Sequence, residues 1–253
     1  MNSTTKSKIF TALRIAIAIA FWLAVWHVAS AVIDNDFLLP SVSSTGREFL
    51  SILTSPASYK IMLFTLARVC TGLILGIIFG AGLGILCHRF KILKAIISPM
   101  ISVIKSTPVA SFIILLWIMM SGNTLSVVVA VLMVTPITYQ NVFSAYSSID
   151  KNFSELCDVF NFSEKKRFRF LVLPALFSYL VPAVVTSAGL AWKAEIAAEI
   201  IAYTKNSIGQ NINDAKFYME TPRVFAWTVI VIVFSIALEF LTKLATRRMK
   251  DVN

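Results

Sequence analysis

Long apolar runs separated by short polar intervals are the dominant pattern of the chain. A helix needs about 20 predominantly apolar residues to cross the hydrocarbon core of a bilayer, with roughly 17 to 25 as the working range. By that measure we predict six spans, at about residues 9–33, 59–86, 95–120, 125–146, 171–202 and 224–244. The first run is too long for a signal-peptide core, so we predict that it is retained. The pattern predicts an all-α integral membrane protein with a single transmembrane domain over residues 1–253.

The second predicted span carries a regular series of glycines. They stand at every fourth position, as Gly72, Gly76, Gly80 and Gly84. Residues four apart lie on one face of a helix, and small residues at that interval let two helix backbones approach closely in lipid. We therefore predict that this face packs tightly against another helix.

Prolines interrupt three of the other spans. A proline inside a helix removes a backbone hydrogen bond, and in a bilayer the freed carbonyl must find a partner within the protein. We predict a break at residues 105–108 and a kink at Pro136, both facing the bundle interior or a cavity. Pro182 or Gly189 is expected to tilt or break the long fifth span.

Two segments outside the spans carry local signals. Ser44 is predicted to cap a short helix that lies on the membrane surface before the second span. Residues 203–223 are predicted to form a polar loop between the fifth and sixth spans.

Charge placement predicts the orientation of the spans. Hydrophobic residues make up 57% of the chain and charged residues 14%, whereas a soluble domain has about 25% charged residues. The net charge of +10 could suggest a nucleic-acid partner, but the basic residues flank apolar runs. With a cytoplasmic N-terminus, the inner segments hold fifteen Lys and Arg residues and the outer segments five. We therefore predict that both termini and residues 147–170 lie in the cytoplasm, with no nucleic-acid partner.

The sequence offers little support for chemistry within the chain. The three cysteines form no CxxC pair and the two histidines are far apart, so neither a disulfide framework nor a metal site is predicted. No glycine-rich loop is followed by Gly-Lys-Ser/Thr, so no ATP site is predicted. Neither histidine is matched by a nucleophile motif, which argues against an intramembrane enzyme. The chain is predicted to be non-enzymatic and to hold no cofactor itself.

Ionisable residues within spans are functional candidates, because charge in hydrocarbon is costly unless it is paired or hydrated. Glu195 and Glu199 are four apart and share a helix face, whereas Lys193 cannot share it. A translocation path and a structural pair or dimer contact remain equally open interpretations. Arg68 is expected to extend outward to the interface. The candidates for the path are Lys105, Pro108, Trp192, Lys193, Glu195 and Glu199.

Tryptophan and a third acidic residue complete the candidates within spans. Trp192 could stack on a planar substrate, although interfacial and packing roles are commoner for tryptophan in membranes. Glu239 is expected to pair with Lys243 one turn later on the same helix.

A polar interval with clustered basic residues lies in the C-terminal two-thirds at residues 155–174, ELCDVFNFSEKKRFRFLVLP. It resembles the EAA loop of permease subunits of bacterial ABC importers, which is written E-A-A-x3-G-x9-I-x-L-P. Asn161 stands at the glycine position, and it suits a left-handed turn better than other non-glycine residues. Residues 37–41, 105–108 and 189–192 with Glu199 resemble the nitrate/sulfonate/taurine-type branch.

This resemblance implies a type I ABC importer permease fold in a bacterial cytoplasmic membrane. It implies two copies of an ATPase subunit that holds ATP and Mg²⁺, an extracytoplasmic binding protein, and a second permease subunit, expected to be a copy of this chain. The loop would dock on the ATPase. The residues implied in coupling are Glu155, Leu156, Cys157, Asp158, Val159, Phe160, Asn161, Phe162, Leu173 and Pro174. The alternative is a self-sufficient secondary transporter, whose halves often show internal repeats. No convincing repeat is visible here.

Overall fold

The computed structural model describes the backbone of residues 3–250, with side chains except those of 3–9, 11–12, 151, 154, 158 and 246–250. All regular structure in this part of the chain is helical. The helices are α1 (Ser3–Ile33), α2 (Val42–Thr54), α3 (Pro56–Arg89), α4 (Lys91–Ser106), α5 (Val109–Met119), α6 (Gly122–Ser147), α7 (Lys151–Val159), α8 (Glu164–Arg167), α9 (Leu173–Ile201), α10 (Ile208–Phe217) and α11 (Thr221–Lys250). A π-helical turn, Phe168–Val172, joins α8 to α9.

The predicted membrane spans are confirmed as apolar helices. Within the described residues, five helices are long and apolar enough to cross a membrane, and there are six spans if the bent pair of α4 and α5 counts as one. The two helices of that pair meet at an angle of 105°. The break lies at Thr107 and Pro108. Proline cannot donate a backbone hydrogen bond, and it disfavours the helical backbone conformation for the residue before it.

The other interior prolines do not break their helices. Pro136 is buried within α6, as the sequence predicts for a residue that frees a carbonyl in a bilayer. Of the tilt or break expected in the fifth span, the break was wrong, because α9 runs without interruption through Pro182 and Gly189. Proline within a membrane helix is tolerated when neighbouring groups satisfy the freed carbonyl.

The chain divides into two compact units. One takes in the chain up to Tyr59 together with Asn211–Ile230, and the other takes in Lys60–Gln210 and the chain from Val231. In the first unit, the indole N–H of Trp26 donates to the carbonyl of Pro40 at 3.0 Å. This hydrogen bond ties α1 to the segment that leads into α2.

Helix α2 begins three residues earlier than predicted. Its N-cap is Ser41, whose hydroxyl accepts a hydrogen bond from the N–H of Ser44 at 3.1 Å. The prediction that Ser44 is the cap was therefore wrong. Three serines within four positions can each serve as a cap by sequence.

The second unit is built on α6 and α9, which pack together along much of their length. A buried apolar cluster on these helices includes Leu125, Val129, Ala194 and Ala198, and the broken pair α4–α5 covers it. The predicted glycine face is also confirmed. Helix α3 approaches α6 so closely that a Cβ atom on Gly76 would lie 2.6 Å from Val134 Cβ.

The prediction of a polar loop at residues 203–223 was wrong in one respect, because the segment is largely helical. These residues contain helix α10 and the start of α11. The helix is only ten residues long and partly polar, so hydropathy gives no sign of it. Its first residues pack against the end of α9, which brings Gly209 next to Glu199.

Candidate functional site

A short helix between two membrane spans presents a row of exposed apolar side chains. In and just after α7, Leu156 is 48% exposed, Val159 is 75% exposed and Phe160 is 67% exposed. Phe162 follows at 40%. Contiguous exposed apolar side chains commonly mark an interaction surface. The exposed face is centred on the segment that sequence predicted to dock. The side chain of Asp158, also predicted there, lies outside the described side chains.

Asn161 adopts the left-handed conformation that the sequence predicted. Its φ is 48°, and the N–H of Phe162 donates to the carbonyl of Cys157 at 2.9 Å. This six-to-one hydrogen bond is the Schellman arrangement that ends a helix. The chain therefore reverses direction directly after α7, and α8 begins two residues after Phe162.

Substitution of Asn161 tests this turn. Asn161→Ala should weaken it by about 1–2 kcal/mol, because alanine tolerates a left-handed conformation poorly. Asn161→Gly is the matched control and should leave it intact. Limited proteolysis of the loop in the purified protein would measure the change. Equal cleavage of both variants would contradict the assigned role of Asn161.

The loop returns to the membrane through α8 and the π-helical turn. Leu173 is partly buried at the start of α9, and Pro174 follows in the first turn, where its missing N–H costs no helical hydrogen bond. Glu155 and Cys157 lie on α7, the first exposed and the second partly buried. The predicted coupling residues therefore occupy both ends of one compact connection between α6 and α9.

A second cluster of predicted residues surrounds Glu199, which is fully buried near the end of α9. Arg68 Nη1 donates to Glu199 Oε1 at 2.9 Å. The hydroxyl of Thr65 donates to the same oxygen at 2.9 Å, and the N–H of Gly209 donates to Oε2 at 3.1 Å. The carboxylate is thus satisfied by donors from α3 and α10, so α9 is tied to both.

The expectation that Arg68 extends to the interface was wrong. Its side chain is only 14% exposed, because Glu199 offers a partner within the bundle. Its second terminal nitrogen donates to the carbonyl of Lys205 at 3.0 Å and to Asn123 Oδ1 at 3.1 Å. One guanidinium therefore links α3, α6, α9 and the segment before α10.

Sequence reasoning missed three residues of this network: Thr65, Asn123 and Gly209. Thr65 and Arg68 are three apart, so they share a face of α3, and a polar pair within an apolar span was an available signal. Asn123 and Gly209 gave no signal of their own. Position 209 has no room for a side chain, because a Cβ atom there would lie 2.4 Å from Glu199 Cβ.

Glu195 lies one turn before Glu199 and is also fully buried. Among the side chains that the structure describes, neither of its carboxylate oxygens has a hydrogen-bond partner. The hydroxyl of Ser126, which lies close to it, donates instead to the carbonyl of Asn123 at 3.4 Å. Buried polar groups are nearly always satisfied, so this carboxylate calls for an explanation.

The remaining candidates are divided between the interior and the surface. Trp192 is fully buried, stacks on Phe234 with ring centroids 5.6 Å apart, and donates to the carbonyl of Val231 at 3.0 Å. Lys105 is exposed and donates to Gln140 Oε1 at 2.6 Å. Lys193 and Pro108 are also exposed. In this conformation the six residues do not line one open surface.

The expected local pair on α11 is confirmed. Lys243 Nζ lies 2.6 Å from Glu239 Oε1, and both side chains are more than half exposed. This pair is therefore held on the surface of a single helix, unlike the buried pair of Arg68 and Glu199.

Comparison with known proteins supplies the family. Residues 72–251 match the family described as binding-protein-dependent transport system inner membrane component. One relative is SsuC of Bacillus subtilis, which is named as an aliphatic sulfonates transport permease protein. It is 22% identical over 230 residues, which are 90% of this chain and 83% of SsuC. The nitrate import permease protein NrtB of Synechococcus elongatus is 25% identical over 210 residues, 79% of this chain and 75% of NrtB.

A solved structure has the same fold. The crystal structure of an amino acid ABC transporter with histidines superposes with a TM-score of 0.62 at 16% identity, covering 79% of this chain and 98% of that chain. At that identity the likeness concerns the fold alone.

Proposed function

The chain belongs to the family of binding-protein-dependent transport system inner membrane components, and from that premise we propose how it is coupled to its energy source. It is a multi-pass permease subunit of a bacterial ABC transporter. Its family implies an ATPase and a binding protein as partners in general. We propose specifically that two copies of this chain form the path for a small solute delivered from outside. Two separate ATPase subunits, which hold ATP and Mg²⁺, drive it from the cytoplasm.

The proposed contact with the ATPase is the exposed apolar face of α7 and its turn. Leu156, Val159 and Phe160 gain most by burial in a groove, since each leaves a large apolar side chain in solvent. Glu155 is exposed beside them and is available to a basic group. The Schellman turn at Asn161 ends this helix, and the chain continues through α8 and the π-helical turn into α9. A push on α7 would therefore be passed to a membrane span.

Phe160→Ala tests this contact. We expect a loss of association with the ATPase of about 2 kcal/mol, or roughly thirtyfold, the scale of a buried aromatic at an interface. Uptake driven by ATP should fall with it. Phe170→Ala is the matched control, because Phe170 is 65% exposed but lies outside α7 and its turn.

The measurements are copurification of the ATPase with the tagged permease and uptake into proteoliposomes. Both side chains are exposed, so neither variant should unfold. Equal effects of the two variants would remove α7 as the docking helix. Uptake by the chain without ATP would favour a secondary transporter.

The composition of the translocation path is also a proposal. It takes in Lys105, Pro108, Trp192, Lys193, Glu195 and Glu199. The strongest support concerns Glu195, since a buried carboxylate without a hydrogen-bond partner lowers stability and is retained for a reason. We propose that Glu195 meets water or the solute when the helices open the path.

Glu195→Met should separate stability from transport. Removing an unsatisfied buried carboxylate should stabilise the fold by about 1–3 kcal/mol. Uptake should fall about tenfold if a charge-assisted hydrogen bond to the solute or its water is lost. Thermal denaturation and uptake assays measure the two effects.

The matched control is Ser187→Ala. The hydroxyl of Ser187 is also buried without a hydrogen-bond partner among the described side chains, on the same helix. Its removal should leave uptake unchanged. Full uptake by the Glu195→Met variant would contradict a role for Glu195 in the translocation path.

A further inference from the structure

A cavity of about 730 Å³ lies where three helical segments of the second unit end. Its walls are the last turn of α3, the last turn of α6, and the connection through α8 and the π-helical turn into α9. Because α3, α6 and α9 are membrane spans, the cavity lies at the level where the apolar part of the chain gives way to polar segments. None of the transport roles proposed above uses it.

The polar part of the cavity has an excess of basic groups. Among the side chains that the structure describes, Arg89 and Arg167 line it, with His88 beside them, against one acidic residue, Glu164. The ring of His88 stacks on Tyr146, with centroids 5.0 Å apart, which fixes its position in the wall. A planar guanidinium presents paired donors that match a phosphate group. The charge therefore favours an anionic ligand that carries phosphate.

The surroundings of the cavity extend this positive charge. Lys165, Lys166 and Arg169 are exposed on the same short segment. Clustered basic residues directly beside membrane spans attract anionic lipids. The basic groups are therefore placed where a membrane surface would supply the anion.

The remaining wall of the cavity is apolar. Ile85 and Leu86 of α3 line it from one side, and Phe168 and Leu171 line it from the other. Ile85, Leu86 and Phe168 are also exposed at the outside of the protein. An inorganic anion would gain nothing from this wall, whereas the first part of an acyl chain would be buried against it.

We propose that this cavity binds an anionic phospholipid, with its phosphate between the basic side chains and its acyl chain against the apolar wall. The occupant is a lipid such as phosphatidylglycerol, because the site combines both chemistries at the end of membrane spans. One wall of the site is the segment that connects α7 to α9. A bound lipid would therefore contact this connecting segment and stabilise its position against α3 and α6.

Thermal denaturation of the purified full chain in detergent tests the site. Short-chain phosphatidylglycerol should raise the melting temperature of the protein, and phosphatidylcholine of the same chain length should not. Arg89→Ala should require about tenfold more phosphatidylglycerol for the same stabilisation, the loss expected for one charge-assisted hydrogen bond. Lys91→Ala is the matched control, since Lys91 is exposed two residues away and does not line the cavity.

Glu164→Gln provides a variant that should gain affinity. It removes the acidic group from the wall, so less phosphatidylglycerol should be needed, and a gain of this kind cannot come from misfolding. Equal stabilisation by phosphatidylcholine, or unchanged lipid dependence of Arg89→Ala, would overturn the proposal. Equal stabilisation by inorganic phosphate would overturn it in favour of a free-anion site. The readout needs neither ATPase nor solute, so it stands or fails separately from the coupling role of α7.

Discussion

Arg68→Ala is expected to destabilise the protein by about 3–5 kcal/mol, the range found when one partner of a buried ion pair is removed. Glu199 would then keep a fully buried charge with only Thr65 and Gly209 as donors. The guanidinium also donates to the carbonyl of Lys205, so the segment before α10 would lose its tie to α3. A large fall in the melting temperature of the purified protein would measure this.

Glu199→Gln makes the expectation more specific. With the charge removed, the loss of Arg68 should cost much less, and a double-mutant cycle would isolate the coupling between the two residues. Glu239→Gln serves as the control, because its pair with Lys243 is exposed on one helix and should not affect stability measurably. A melting temperature for Arg68→Ala equal to that of Glu239→Gln would show that the buried pair contributes nothing.

Hydropathy was sufficient to predict the spans, because the requirement to satisfy backbone groups in lipid leaves few alternatives to long apolar helices. The turn at Asn161 was also predictable, since few residues adopt a left-handed conformation readily. Both features depend on residues near one another in the chain. The glycine face belongs to the same class, because its spacing alone indicates close helix packing.

The features that sequence could not supply depend on distant residues. Glu199 and Arg68 are 131 positions apart, and no local pattern specifies which acid meets which base. Either residue could have pointed to the interface by its position in a span. Pro182 is a second case in which the local sequence was not sufficient. Whether a helix breaks at a proline depends on the neighbouring groups, and α9 continues through Pro182. Local patterns specified the elements, and tertiary contacts decided the partners.

Gly72→Ala is expected to disturb the packing of α3 on α6. A Cβ at Gly72 would lie 2.5 Å from Ala130 Cβ, so the two helices would have to separate. Overpacking of this kind costs about 1–3 kcal/mol, and a fall in the melting temperature would report it. Gly82→Ala is the control on the same helix, because nothing lies within 4 Å of its added methyl group. It should be neutral or slightly stabilising, since alanine favours a helix over glycine.

The cause of the destabilisation can be tested by moving the methyl group across the interface. Ala130→Gly removes the nearest atom that a Cβ on Gly72 would meet, so the double variant should recover part of the lost stability, with the main-chain oxygen of Val127 still 3.1 Å away. Gly80→Ala should have no such rescue, because its Cβ would lie 2.6 Å from the main-chain oxygen of Thr135. A main-chain atom cannot be removed by substitution. Failure of Ala130→Gly to rescue Gly72→Ala would mean that the methyl–methyl contact is not what limits the approach of α3 to α6.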